Sequence, residues 1–413
     1  PGDVGIYIHV PFCQARCSYC DFNTYAGLAH LMDDYVAALC QEIVGYCSFG
    51  SYPDPPPVRG LIATHISQRF ETASACQVRP RSLTPDVGNV TARRRWRAAS
   101  IDLGGGTPSL LSAAHVERIL AACHAAFAIA NDAEVTIEAN PGTVGEDSLR
   151  AMRAMGINRL SLGVQSFDDA MLRRLDRLHN AAEAQAAYDA ARRAGFTNIS
   201  LDFMYGLPGQ SLAHWRQTLA EALALSPDHL SLYALTLEEH TPMAHRVAAG
   251  EIELPDDDAV ADMYTLAEDV LAEAGYLHYE ISNWAARPEL ASRHNMIYWR
   301  RQPYLGFGAG AHSFDGKRRW SNVLHPQEYI NRIRTYETAA AESENITAQM
   351  AASETMFLGL RLLEDGVNAA EFTEQHGLSL DVFAPQVDEL VQLGLLERTA
   401  WGLRLTRRGR LLS

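Results

Sequence analysis

The sequence is almost without lysine. Of its 35 basic residues, Lys317 is the one lysine and the other 34 are arginine. Lys317 stands in no GxxxxGK[ST] context, which excludes a P-loop and leaves a lysine Schiff base without a good carrier. Basic charge is scarce in sum as well: 35 Lys and Arg face 50 Asp and Glu, a formal net charge of −15. Non-specific nucleic-acid binding needs the opposite balance, so no nucleic-acid partner is expected. No apolar run reaches the roughly 18 residues of a membrane-crossing helix. Pro1-Gly2-Asp3 offers neither a basic n-region nor an apolar h-region, so a cytoplasmic protein is expected. The chain also starts without methionine, and the native N-terminus is expected upstream. Seven cysteines are too few, and too unevenly placed, for a disulfide scaffold in 413 residues.

What is present is ordinary globular composition, 47% hydrophobic and 21% charged, enough for two or three domains at roughly 150 residues each. Residues 4–10 alternate and are β-branched, a strand that runs straight into Cys13. Helical spacing follows over 31–47. From residue 98 the pattern alternates: strand 98–103, helix 113–128, strand 134–139, helix 146–155, strand 158–163, helix 181–194, strand 198–203, helix 211–225 and strand 229–235. About six alternations imply parallel pairing and an α/β sheet or barrel, with chemistry at the carboxyl ends of the strands. Residues 50–98 break the rhythm with six prolines and eight arginines against three acids, and read as a long insertion, disordered at the surface. After residue 245 the alternation fades. Helices are expected at 259–274 and 326–336, around a Gly/His/aromatic-rich stretch (276–314). Two or three amphipathic helices and a hairpin (LLERTAWGLRLTRRG) close the chain, a winged-helix-like pattern. The expected units are therefore 1–245, 246–340 and 341–413. The terminal arginines (404, 407, 408 and 410) are thin support for DNA binding.

Cys13, Cys17 and Cys20 form Cys-x3-Cys-x2-Cys. Thiolates are the ligands that iron–sulfur clusters select, and this spacing lets one loop hold three corners of a cubane, leaving one iron open. A zinc loop is the alternative. Zinc usually takes a fourth Cys or His, and no second cysteine pair occurs.

With Gly104-Gly105-Gly106-Thr107-Pro108 one βα unit later, this motif resembles the radical S-adenosylmethionine (SAM) superfamily. The resemblance implies a partial (β/α)6 barrel and a 4Fe–4S cluster on Cys13, Cys17 and Cys20, with SAM chelating the open iron. By motif, Tyr7 and Tyr19 would line cluster and SAM, and Gly105, Gly106, Thr107 and Glu138 would contact SAM. Gln165, Arg177 and Asp202 would complete the wall; Ala234 and Phe314 match more weakly. Within the superfamily the chain is similar to the oxygen-independent coproporphyrinogen III oxidase-like family, and two features place it nearer the heme-chaperone group, HemW. Phe22 stands where the dehydrogenase pattern has a fourth cysteine. His294-Asn295-Met296-Ile297-Tyr298-Trp299 matches HNxxYW, implying His294 as a heme ligand and Tyr298 and Trp299 as flat apolar surface. The implied function is a heme chaperone with heme-accepting protein partners, a homodimer and transient contact with membrane hemoproteins. The alternative is oxygen-independent coproporphyrinogen III dehydrogenase, a radical SAM decarboxylase of porphyrin biosynthesis.

Overall fold

Six parallel strands form the centre of the computed structural model, which describes residues 3–49 and 96–413. β1 (Asp3–Val10), β2 (Arg97–Gly105), β3 (Ala128–Ala139), β4 (Arg159–Gln165), β5 (Ile199–Tyr205) and β6 (His229–Ala234) lie side by side in chain order. Each pairs in parallel with the next. Parallel neighbours need crossovers, and four of them contain α2 (Ala113–Ala126), α3 (Glu146–Ala154), α4 (Ala181–Arg193) and α5 (Leu212–Ala224); α1 (Met32–Phe49) follows β1. The expected insertion over 50–98 lies outside the described residues except at its end, where Arg97 and Ala98 already belong to β2.

The elements start where side chains can satisfy free backbone N–H groups. Ser112 caps α2, Asn180 caps α4 and Ser211 caps α5, each accepting from the N–H three residues on. One strand differs from expectation. β3 begins at Ala128 rather than 134, because residues 128–129 pair with Arg97 and Ala98 before a register shift carries the ladder on to Glu134.

The six strands keep a two-residue period. Val4, Ile6, Ile8 and Val10, with Ile101, Leu103, Ile137, Leu160, Leu162, Ile199, Leu201, Leu230 and Leu232, are buried in the main core. The alternate positions are polar: Tyr7, His9, Ser100, Asp102, Glu134, Thr136, Glu138, Arg159, Ser161, Ser200, Asp202, His229 and Ser231. A parallel strand covered by helices on its outer side has no water to solvate such residues, so they turn to the inner side of the curved sheet and pair there.

Residues between 246 and 345 contribute strands to both edges of this sheet. After α6 (Asp257–Glu273), β7 (Leu277–Glu280) pairs with β8 (Asn283–Ala285), which runs antiparallel to β6. After α7 (Arg293–Trp299), β9 (Tyr304–Phe307) pairs in parallel with β1. β10 (His312–Phe314), β11 (Arg318–Asn322) and, beyond α8 (Pro326–Tyr336), β12 (Ala340–Asn345) extend that edge antiparallel. Among the described residues the result is one open twelve-stranded sheet.

The C-terminal module has α9 (Ala348–Gly359), α10 (Ala369–His376), α11 (Ala384–Gln392) and the hairpin β13 (Leu396–Arg398)–β14 (Gly402–Leu405), whose second strand also pairs with Val367–Asn368. Its arginines have structural partners. Arg404 pairs with Glu397, and Arg407 and Arg410 converge on Glu268 of α6 at 2.9 and 2.8 Å. Burial alone would raise Glu268, but hydrogen bonds from His278, Arg410 and Arg407 prevail and hold it at about 2. A carboxyl depressed in the fold stabilises above its ordinary pKa of 4.5 and loses that contribution as pH falls toward 2. Between pH 4.5 and about 2 the wild-type unfolding midpoint should therefore fall faster than that of Glu268→Gln. Parallel curves for the two proteins would show that this network does not couple to folding.

Candidate metal centre and cofactor site

β1 ends at Val10, and the chain turns into the loop that carries the thiols. Phe12–Cys13 bridges in parallel to Tyr25–Ala26, and the Tyr25 N–H donates to the Pro11 carbonyl at 2.7 Å, folding the loop back on itself. Cys13, Cys17 and Cys20 are half-buried and free of disulfides. The Thr107 hydroxyl lies 3.6 Å from the Cys13 sulfur, the Arg177 guanidinium 3.7 Å from Cys17 and the Thr24 hydroxyl 3.9 Å from Cys20. Burial pushes the Cys13 and Cys20 thiols up, so metal binding would have to displace their protons. Phe22 is 65% exposed beside this loop.

The glycines bring β2 against the loop. Gly106 donates to the Val10 carbonyl and Thr107 to that of Phe12, both at 2.8 Å. A Cβ on Gly106 would stand 2.7 Å from the Phe12 oxygen, too close for any side chain. Gly105 adopts φ +110°, and its missing Cβ leaves room for the His9 ring. His9 is itself fixed, Nδ1 3.0 Å from the Tyr7 hydroxyl and Nε2 2.9 Å from the Asn23 carbonyl.

Behind the glycines lies an acidic inner face. The Glu138 carboxylate accepts from the Gly105 N–H at 3.0 Å; burial raises it to about 7 against the lowering effect of that bond. Asp202 accepts from Ser161 and Ser200 at 2.7 and 2.9 Å, and burial raises it too. Asp102 is pushed well above the usual range, first by burial and then by Glu138 and Glu134, and its Oδ1 has no hydrogen-bond partner among the described residues. Against these four carboxyls stands one buried arginine on the same strands, Arg159, 3.8 Å from Glu134. At the rim, Arg177 bonds Asn140 and the Gly163 carbonyl, and Asn140 donates to Thr107 at 2.9 Å, linking three strand ends. Gln165 takes φ +65° at the end of β4, a left-handed conformation that non-glycine residues rarely hold without a local reason. Tyr19 packs beside Met171, Leu175 and Met243, and Ala234 closes β6.

These residues suit the groups implied for them. Among the described residues no three His, Cys, Asp or Glu side chains converge on a single point for a bare metal ion. Three thiols spread along one loop instead match a cluster that brings its own bridging sulfides. Buried carboxyls match a sulfonium with an ammonium group.

Two assignments fall elsewhere. Phe314 pairs with Tyr304, which is level with Gly5, at the opposite end of β1 from the thiols. Its ring lies under Arg301, 4.7 Å away. His294 sits at the same low level. Its Nδ1 is 2.8 Å from the Ser100 hydroxyl, its Nε2 is 2.8 Å from the Tyr298 hydroxyl, and Glu134 accepts from the N–H groups of Arg293 and His294. Thus α7 plugs the amino-terminal end of the inner face. His294 is 2% exposed, and burial lowers its pKa to about 3, so its ring is neutral. Trp299 is five residues on, turned about 140° around the helix, and faces the C-terminal module, where Arg361 stacks on it at 4.3 Å. The hexad expected to act as one surface is divided between two faces.

Asp102, Glu134, Asn140 and Arg159 escaped the sequence reading. For Asp102, Glu134 and Arg159 the signal was available in S-I-D-L, E-V-T-I-E and R-L-S-L, where polar residues keep a two-residue period inside strands that must be buried.

Comparisons with known proteins show what the chain is similar to. The Radical SAM superfamily matches residues 7–222 and the HemN C-terminal domain residues 346–412. The heme chaperone HemW of Bacillus subtilis is 33% identical over 98% of this chain and 96% of its own length. HemW of Escherichia coli is 34% identical over 99% and 95%, and that of Mycobacterium tuberculosis 36% over 99% and 92%. Among solved structures, coproporphyrinogen III oxidase (HemN) from Escherichia coli, a radical SAM enzyme, has a TM-score of 0.76 at 24% identity, covering 99% of this chain and 88% of its own.

Proposed function

From a chain that belongs to the radical SAM superfamily and, within it, to the HemW family, we propose a heme chaperone: a protein that carries a SAM-ligated 4Fe–4S cluster on Cys13, Cys17 and Cys20, binds heme, and passes it to heme-accepting proteins. When bound, cluster and SAM would supply one-electron chemistry at the carboxyl ends of the strands. Thr107, Asn140 and Arg177 would order the thiol loop, Glu138 would meet the methionyl ammonium, and Asp202 the ribose hydroxyls.

The observation that carries this reading over the decarboxylase is Phe22, exposed beside the thiol loop where the dehydrogenase pattern has a fourth cysteine. The buried carboxyls of Glu138 and Asp202 suit a sulfonium cofactor with an ammonium group.

Among the described residues no helix is long and apolar enough to cross a membrane. We place the protein in the cytoplasm, as a homodimer that meets membrane hemoproteins transiently. Anaerobically reconstituted protein should bind hemin saturably and form no protoporphyrinogen from coproporphyrinogen III with SAM and reductant. Turnover without hemin binding would reverse the assignment.

A further inference from the structure

Below the barrel, where α7 meets the C-terminal module, the structure holds a cavity of about 570 Å³. Its wall combines two chemistries. Trp299 from the end of α7 and Trp401 from the tip of the β13–β14 hairpin supply indole surface. The Trp299 Nε1–H is buried without an acceptor among the described residues, and Trp401 is 36% exposed. Acidic side chains supply the second, and Leu362, Val367 and Phe372 also line the cavity. Asp365 is neutralised by Arg300 at 3.0 Å, but Glu364 and Glu371 are exposed and form no ion pair among the described residues. The Trp401 carbonyl accepts from the Ala369 N–H at 2.9 Å, which ties the hairpin tip to the start of α10 and holds the two walls in register.

Unpaired carboxylates beside indole faces are complementary to one protein side chain above others. A guanidinium stacks its plane on an aromatic ring and donates two parallel hydrogen bonds to a carboxylate, which an ammonium cannot do. The cavity already displays half of this chemistry, since the molecule's own Arg361 covers one face of Trp299. The volume exceeds what one side chain fills, leaving room for flanking backbone, whose carbonyls could take the Trp299 N–H. An anionic macrocycle is a poor match for two free carboxylates.

We propose that this cavity is a docking site for an arginine-bearing segment of a partner protein, with guanidinium against Trp401 and Glu364 and Glu371 as its counter-charges. The site is separate from the thiol loop and the inner face, and its occupancy requires neither heme nor SAM, so it stands or falls apart from the chaperone reading. Its position adds a consequence. An occupant bears on Trp299, and therefore on α7, whose other face carries His294.

The test is a titration of the full-length protein, followed by tryptophan fluorescence and calorimetry, with a blocked pentapeptide containing two arginines. Its lysine and citrulline counterparts are titrated in parallel. The arginine peptide should bind saturably and at least tenfold tighter than either counterpart. Trp401→Ala and the double variant Glu364→Gln/Glu371→Gln should each weaken it tenfold or more. Asp257→Asn/Asp258→Asn, which removes two exposed acids from α6, should leave it unchanged and so separate docking from general attraction to an acidic chain. Equal affinity for the lysine peptide, equal loss in the α6 variant, or binding that persists in both cavity variants would each overturn the proposal. Hemin that quenches fluorescence in wild type but not in Trp401→Ala, and is not displaced by the arginine peptide, would assign the cavity to a macrocycle instead.

Discussion

Replacing any one of Cys13, Cys17 and Cys20 by alanine is expected to abolish the brown charge-transfer absorbance of the reconstituted protein, and Gly106→Ala should do nearly as much without removing a ligand. The first effect follows from ligand count: two thiolates on one loop cannot hold a cubane that already has an iron without a protein ligand. The second follows from backbone contact. The new Cβ would stand 2.7 and 2.8 Å from the Phe12 and Val10 carbonyls, so β2 would have to separate from the segment that positions Cys13. The hydrogen bonds from Gly106 to Val10 and from Thr107 to Phe12 would go with it. Cys40→Ala is the control, because its sulfur donates to the Arg118 carbonyl at 3.5 Å and stands outside the thiol loop. Cys123 is a second control. It is fully buried, and desolvation pushes its thiol up to about 12, far from a thiolate. A protein that keeps its cluster with Gly106→Ala, or loses it with Cys40→Ala, would show that the loop is held by something other than the β1–β2 junction.

The barrel was legible because each parallel strand and its following helix declare themselves locally, by a change of period from two to 3.6 residues. The thiol loop was legible for a similar reason, since three ligands fall within eight residues. What stayed hidden depends on contacts across long stretches of chain. His294 is buried by Ser100, 194 positions earlier, and by Glu134, 160 positions earlier. Local spacing nevertheless contained part of the answer. His294 and Tyr298 are four residues apart and share a helix face, whereas Trp299 cannot join them on it. The position of Phe314, away from the thiols, was hidden for a related reason: β10 runs back down the sheet, and a motif does not state strand direction. The twelve-stranded extent of the sheet was equally hidden, because β7 to β12 are only three to six residues long and gain their pairing from edges that the barrel provides.

His294 and Tyr298 should respond to substitution in opposite ways if His294 is the heme ligand. His294→Ala leaves the Ser100 and Tyr298 hydroxyls without their partner in a buried site. At about 1–3 kcal/mol for each unsatisfied group, with a cavity in addition, the unfolding midpoint should fall by several degrees, and hemin affinity by tenfold or more. The loss should also change the acid response. The His294 ring is held neutral in the fold, with a pKa lowered by burial to about 3, while in the unfolded chain it protonates near 6.5. The unfolded state therefore binds the extra proton, and wild type loses stability as pH falls from about 6.5 toward 3, by up to about 1.4 kcal/mol per unit. His294→Ala should lack that component. Tyr298→Phe removes only the hydroxyl that occupies Nε2, at a cost of about 1 kcal/mol in stability. Freeing Nε2 shifts α7 toward conformations in which iron can reach the ring, so hemin affinity should rise by roughly threefold to tenfold, because apparent affinity scales with the competent fraction. Hemin titrations at neutral pH alongside thermal unfolding would read both quantities. If Tyr298→Phe loses stability with no gain in hemin affinity, and His294→Ala binds hemin like wild type, then His294 is a plug that fastens α7 to the barrel and the iron ligand lies elsewhere.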